Sequence, residues 1–162
     1  MMQRADRTIL PMTEETVHAA AEMLKQCFKA PWSESVYRRD LADPQSTALL
    51  CMENDAVIGF LHCSYVLDEL TLNTLAVLPE YRRQGIARAL WAAMCERMRG
   101  ICTVCYLEVR ESNLPARTLY ESLGFYQNGC RPRYYSDPEE AAVLMQATLY
   151  AIRNAQCAMR NC

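Results

Sequence analysis

The stretch Leu75-Ala76-Val77-Leu78-Pro79 and the following Arg82-Arg83-Gln84-Gly85-Ile86-Ala87-Arg88 hold residue types at spacings that could do chemistry. An apolar run ends at a proline, and an amphipathic run begins at Gly85. A helix start presents N–H groups without intrahelical partners and the positive end of its dipole, and together these bind phosphates. Gly85 and the small Ala87 let a phosphate approach the backbone, while Arg82, Arg83 and Arg88 bring positive charge. A helix start with surface arginines and no ligand would look similar, because short glycine motifs recur by chance. The lysine and hydroxyl of a Walker P-loop are missing. A second pattern, Cys102-x-x-Cys105, has the spacing of a redox pair or of half a zinc site. It falls in a strand-like run with no second pair or histidine at ligand spacing. Buried thiols are the better reading, and no metal is expected.

The elements that must position these residues follow from periodicity. Arg7 to Met12 reads as a short strand. Thr13 can cap a helix with Glu14 and Glu15 in its first turn, and Val17, Ala20, Ala21, Leu24 and Phe28 recur at helical spacing. Ser33 can start a second helix that stops near Asp43-Pro44. Thr47 to Met52, Ala56 to Val66 and Glu69 to Leu78 read as strands, with Glu53-Asn54-Asp55 as a hairpin turn. Leu70 and Leu72 share one parity, Leu75 and Val77 the other, and such a switch predicts a β-bulge near Asn73-Thr74, with a twisted strand as the equally good plain reading. Gly85 opens a helix to about Arg99, with Ile86, Ala89, Leu90, Ala93, Met94 and Met98 on one face. Cys102 to Val109 reads as a central strand, apolar on both faces. Asn113 can cap a helix carrying Leu119, Tyr120 and Leu123, which Gly124 ends. Phe125 to Arg131 and Glu140 to Leu149 close the pattern as strands. The order β-α-α-β-β-β-α-β-α-β-β predicts an α/β domain with a mixed central sheet flanked by helices.

With 162 residues, half of them hydrophobic, the chain suits one domain with a sizeable core over residues 1–149, followed by a helix-compatible but weakly amphipathic tail, residues 150–162, that reads as either helical or disordered. The net charge of −2 gives no sign of nucleic-acid binding. No apolar run approaches the roughly 20 residues of a membrane span, and Met1 to Thr8 lacks the apolar core of a secretion signal. Nine scattered cysteines, an odd number, favour a reducing compartment. A cytoplasmic protein is expected.

R-x-x-G-x-A between an L-A-V-x-P strand end and a long helix resembles the acetyl-CoA motif of the GNAT superfamily of N-acetyltransferases. Leu107-Glu108-Val109-Arg110-Glu111-Ser112-Asn113, with Ala116 and Leu119-Tyr120-Glu121-Ser122-Leu123-Gly124-Phe125, resembles the strand and helix that follow it in that family. Pro31-Trp32-Ser33-Glu34, Val66-Leu67-Asp68-Glu69 and Arg131-Pro132-Arg133-Tyr134-Tyr135 are similar to segments of the bacterial ribosomal-protein-alanine N-acetyltransferases. The resemblance runs from about Thr8 to Leu149. It implies a mostly antiparallel sheet and acetyl-CoA as co-substrate. The acceptor it implies is a protein N-terminus, with a small-subunit ribosomal protein as the target.

The resemblance also implies roles. The amides of Arg83 to Arg88 would hold the pyrophosphate. Leu75, Ala76 and Val77 would pair with the pantetheine arm, and an N–H near Val77 would polarise the acetyl carbonyl. Asn113 matches a position that contacts the CoA arm, and it reads equally well as an N-cap. Glu108 matches the general base. Its place at the end of an apolar strand suggests partial burial, although a glutamate leaving a strand is usually just solvated. Tyr120, twelve positions on, matches the general acid that protonates the departing thiolate; its plain reading is a packed tyrosine. Tyr134 and Tyr135 match a pair that holds the acceptor backbone, and Trp32, Asp68, Glu69 and Glu34 are candidates for an acceptor rim. His18 and His62 show no partner spacing. Two departures are Ala87 for the third small residue of the motif and Leu114-Pro115 at the helix start. Lysine side chains or a small amine are the alternative acceptors, and a non-catalytic acyl-CoA-binding module is the alternative of another class.

Overall fold

The structure is a computed structural model and describes residues 6–149. Along them run β1 (Arg7–Pro11), α1 (Val17–Cys27), α2 (Glu34–Leu41), β2 (Ser46–Glu53), β3 (Ala56–Val66), β4 (Glu69–Val77), a 3-10 turn (Pro79–Tyr81), α3 (Ile86–Arg97), β5 (Val104–Arg110), α4 (Leu114–Ser122), β6 (Tyr126–Tyr135) and β7 (Glu140–Thr148). The elements come in the expected order. The strands form a mixed sheet in the order β1-β2-β3-β4-β5-β7-β6. β4 and β5 run parallel, whereas β1-β2, β2-β3, β5-β7 and β6-β7 are antiparallel. Two compact units divide the chain, Met1–Ser64 with Leu72–Arg97 and Tyr65–Thr71 with Met98–Cys162, so β4 contributes to both. The predicted tail, residues 150–162, lies outside the described residues.

In the first unit, Asn54 and Asp55 link β2 to β3 with φ of 48° and 64°. A type I′ hairpin turn needs positive φ at both central positions, and Asn and Asp tolerate it best after glycine. Alternate residues of β3 serve two different helices. Phe60 packs its ring on Tyr37 of α2 at 5.3 Å, while a Cβ at Gly59 would sit 2.8 Å from Ile86 of α3. α3 buries Ile86, Leu90, Trp91 and Met94, and each large apolar side chain so buried stabilises the fold by about 1.5–3 kcal/mol. Trp91 is fully buried although it was absent from the predicted face, and Ala89 from that face is exposed.

One local prediction needs correcting. Helix α1 begins at Val17, not after Thr13, because Thr13 and Thr16 build a separate turn: the Thr16 hydroxyl accepts from the Thr13 amide at 2.9 Å, and the Thr13 carbonyl accepts from Val17. Glu14 and Glu15 therefore precede the helix. Along β4, burial stays in phase through Asn73 and Thr74, with Leu70, Leu72 and Ala76 buried and Leu75 and Val77 half-buried. Its pairing with β5 comprises Glu69–Val104, Leu70–Cys105 and Thr71–Tyr106 and ends there, two residues before the expected bulge at Asn73-Thr74.

In the second unit, β5 alternates rather than being apolar on both faces: Cys105, Leu107 and Val109 are buried, and Glu108 is exposed. Cys102 precedes the strand and is also buried. Asn113 caps α4 by accepting from the Ala116 amide at 3.2 Å, and Pro115 sits in the first turn, where its missing N–H costs nothing. No residue within α4 is fully buried; Leu123 and Phe125, just beyond it, are. β6 runs to Tyr135, further than predicted, as the outermost strand. A register shift between Arg131 and Tyr135 absorbs Pro132 and the positive φ of Arg133, 53°, which an edge strand tolerates.

Candidate active site

In the first unit the end of β4, the 3-10 turn and the start of α3 form the arginine-rich turn. Arg83 and Gly85 both have a left-handed backbone, with φ of 60° and 81°. Nothing lies within 4 Å of where a Gly85 Cβ would stand, so the turn is open at its glycine. Beyond it lies the first turn of α3, whose N–H groups no intrahelical carbonyl reaches. Arg82 and Arg83 are exposed. Arg82 has a second task, because its Nε donates to the Val77 carbonyl at 3.0 Å and ties the strand end to the turn. Gln84 is held from the other side: its Oε1 accepts from Arg7 Nη2 at 2.6 Å, and its Nε2 donates to the Glu80 carbonyl at 3.1 Å. The turn thus combines exposed cations, an unobstructed glycine and a helix start, a donor set that fits a pyrophosphate.

In the second unit three strands assemble a different chemistry. Opposite one another across β5, β7 and β6 stand Glu108, Leu144 and Gly129, and beside that row stand Arg110, Ala142 and Arg131. Paired residues share a face, and Arg131 reaches diagonally across β7 to put Nη1 2.9 Å from Glu108 Oε1. Glu108 also accepts from the Tyr134 hydroxyl, whose phenol is pushed above its ordinary pKa by that bond and by the carboxylate's charge. Tyr135 stands edge-on to Tyr134 at 5.0 Å and stacks under Arg110 at 4.3 Å; burial first, then the charge of Glu108, raises its pKa. Arg110 pairs with Glu140 at 3.3 Å, and Glu140, bound first by the Ser112 hydroxyl, then by the Ser112 amide and Arg110, is held below the usual carboxylate range. Tyr120 is half-buried with its ring 5.8 Å from Phe125.

The pattern of the acetyltransferase (GNAT) family matches residues 17–125. The chain belongs to the GNAT acetyltransferase family. It is 36% identical over 142 residues to the [ribosomal protein bS18]-alanine N-acetyltransferase of Escherichia coli strain K12, covering 85% of this chain and 95% of that one. With the Haemophilus influenzae protein of the same name it shares 37% over 133 residues, covering 79% and 89%. The crystal structure of the ribosomal-protein-S18-alanine N-acetyltransferase from E. coli superposes with a TM-score of 0.81 at 33% identity, over 89% of this chain and 94% of that one. Arabidopsis thaliana NAA60 in complex with acetyl-CoA shares the fold, with a TM-score of 0.79 at 17% identity over 88% and 98%.

Several residues of this acetyltransferase stand differently from expectation. The Glu108 side chain is partly buried, 30% exposed, on an otherwise open strand position, and its environment is an arginine and a tyrosine. Asp68 accepts from Thr103 through both its side chain, at 2.8 Å, and its carbonyl, at 2.9 Å, which pins the β3–β4 turn to the start of β5. Glu69 pairs with Val104, four residues before Glu108, or about 13 Å along the strand. The acidic pair therefore does not gather around Glu108. Glu34 lies between His18 Nδ1 at 2.8 Å and Arg38 Nη2 at 2.6 Å and is not a free rim charge; the histidine first, then the arginine, lowers its pKa. Sequence reading gave His18 no partner and overlooked Arg131. An i,i+4 spacing linked Glu34 to Arg38, whereas no local signal marks Arg131. Among the described residues no cluster of three or more His, Cys, Asp or Glu could hold a metal, and no helix is long and apolar enough to cross a membrane.

Trp32, 47% exposed, lines a pocket of about 420 Å³ with Asp40, Ser46, His62 and Asn73, within the first unit. His62 is 2% exposed; its Nε2 lies 2.8 Å from Ser46 Oγ and 3.5 Å from Asp40 Oδ2, and the rings of Trp32, Tyr37 and Phe60 surround it. Burial holds its pKa below the ordinary value, against the opposing pull of Asp40. A base whose folded pKa is depressed binds fewer protons in the native state than in the unfolded chain. Its stability contribution is present above the unfolded value, about 6.5, and is lost as pH falls below it. Wild-type protein should lose denaturation midpoint steadily from pH 7.5 to 5, and His62→Gln should show a shallower loss. Parallel slopes in urea titrations would take His62 out of the acid sensitivity.

Proposed function

We propose that this enzyme acetylates the N-terminal α-amine of a protein, the alanine of a small-subunit ribosomal protein, in the reducing cytoplasm. The choice of acceptor is carried by the 36% identity, over 85% of the chain, to an enzyme named for the bS18 alanine. Acetyl-CoA supplies the activated acyl group as a thioester. Its pyrophosphate would rest on the amides from Arg83 to Arg88, with Arg82 and Arg83 adding charge. The pantetheine arm would run along Leu75, Ala76 and Val77, and Asn113 would contact the arm besides capping α4.

Glu108 takes a proton from the acceptor ammonium, directly or through a water, so that the neutral amine can attack. A carboxylate suits an α-amine, whose reference pKa of about 7.7–8.0 lies well below lysine's about 10.4. Tyr120 delivers its hydroxyl proton to the leaving sulfur, and the second proton shed by the amine nitrogen as the amide forms restores the phenol. Tyr134 and Tyr135 grip the acceptor backbone beside Glu108, and Trp32 offers an aromatic wall. Asp68 and Glu69 keep at most a long-range electrostatic part, in line with their place at the far end of β5.

The deciding experiment follows thiol release from acetyl-CoA with an alanine-starting peptide, an N-blocked lysine peptide and small amines. The alanine-starting peptide should react with a kcat/KM at least tenfold above the others. Preference for the lysine peptide would sink the reading, and acetyl-CoA binding without thiol release from any acceptor would favour a binding module. In the same assay Tyr120→Phe should lower kcat by roughly a hundredfold with acetyl-CoA affinity intact; unchanged turnover would remove Tyr120 as the acid.

A further inference from the structure

We propose that Arg131 is a positioning residue that acts through Glu108, holding its carboxylate toward the acceptor. This rests on the reading of Glu108 as the base. Glu108 projects from an exposed strand position on a flexible side chain, and such a chain in solvent spreads over many rotamers. Two contacts restrict it: Arg131 Nη1 at 2.9 Å on Oε1, and the Tyr134 hydroxyl. The guanidinium itself is seated over the Tyr134 ring, 5.6 Å from its centroid, so one arginine orders both the base and the tyrosine beside it.

The sheet register makes this contact possible. Arg131 pairs directly with Ala142, which in turn pairs with Arg110, and the row alongside holds Glu108, Leu144 and Gly129. With alanine as the middle residue of its own row and glycine as the outer residue of the next, the arginine has a low path across β7. The other cation of that row cannot substitute for it. Arg110 is engaged by Glu140, the Pro138 carbonyl and the Tyr135 ring. Arg133, the other arginine of the motif, pairs instead with Glu139 at 3.5 Å.

A lost clamp should appear in kcat and not in cofactor binding, because a base misplaced by an ångström costs rate. Arg131→Ala should lower kcat by about tenfold, with acetyl-CoA affinity unchanged, and Arg131→Lys should restore part of the loss. Guanidinium ion at non-denaturing concentration should raise the turnover of Arg131→Ala and leave the wild type alone. A double-mutant cycle decides whether the effect passes through Glu108. Against a Glu108→Gln background, Arg131→Ala should cost little more, whereas multiplying losses would mean that Arg131 acts independently and would overturn the proposal. Wild-type turnover in Arg131→Ala, or a loss that neither lysine nor guanidinium relieves, would overturn it too. Should Glu108→Gln alone keep full activity, the reading of Glu108 as base fails, and that result is distinct from all of these.

Discussion

Glu108→Gln should lower kcat with an alanine-starting peptide by roughly a hundred- to a thousandfold while leaving acetyl-CoA affinity within about twofold, the span that loss of a positioned base produces. The substitution is close to isosteric. The amide oxygen can still accept from Tyr134, so the change removes the basic site and disturbs its surroundings little. Stability should hold as well, because the ion pair with Arg131 lies at the surface, where such a pair contributes at most about 1 kcal/mol, and the amide keeps the hydrogen bond to Tyr134. The residual rate carries a second signature. Without a base, only acceptor molecules that are already neutral react, so activity in the variant should climb with pH through about 8 in step with the free α-amine. Wild type should outpace the variant most at pH 6.5–7. A variant within twofold of wild type at pH 7 would show that the proton leaves by another route.

How much of this site could be read before the fold was known depends on how local each signal is. The Gly85 turn was legible because its ingredients are contiguous: an apolar strand end, arginines, a glycine and a helical period. The Asn54-Asp55 hairpin was legible for the same reason, since only a few residue types accept positive φ. Asn113 was legible as a cap because its acceptor function is met within three residues. The Glu108–Arg131 contact was not. It depends on two strand registers at once, and shifting either by one residue would send the arginine to the opposite face. The start of α1 was misjudged because Thr13 and Thr16 are both competent caps, and the hydrogen bond between them, not either residue alone, decides where the helix begins. Glu34 drew an acceptor role from its charge, although its true partners are a histidine sixteen residues before it and an arginine four after it.

Substitution at Gly85 should separate cofactor binding from chemistry. Its φ of 81° is a conformation that residues with a Cβ adopt at a cost of about 1–2 kcal/mol. Since no heavy atom lies within 4 Å of the added Cβ, the penalty at Gly85→Ala is one of backbone conformation and not of collision. The chain can escape by rotating the turn, and that would carry the amides of Gly85 to Ala87 away from the pyrophosphate they are proposed to hold. Acetyl-CoA should then bind roughly ten- to a hundredfold more weakly, the strain and the lost phosphate contacts together reaching about 1.4–2.8 kcal/mol. Gly85→Asn offers the control, because asparagine enters the left-handed region more readily than alanine. Its loss should be the smaller of the two, although its side chain is larger. Calorimetric titration with acetyl-CoA, beside thermal unfolding of each variant, reads both quantities. Equal affinity in all three proteins would mean that the turn's geometry does not matter to the cofactor. A greater loss for asparagine than for alanine would point instead to crowding by the added side chain, with the ligand lying directly against the glycine.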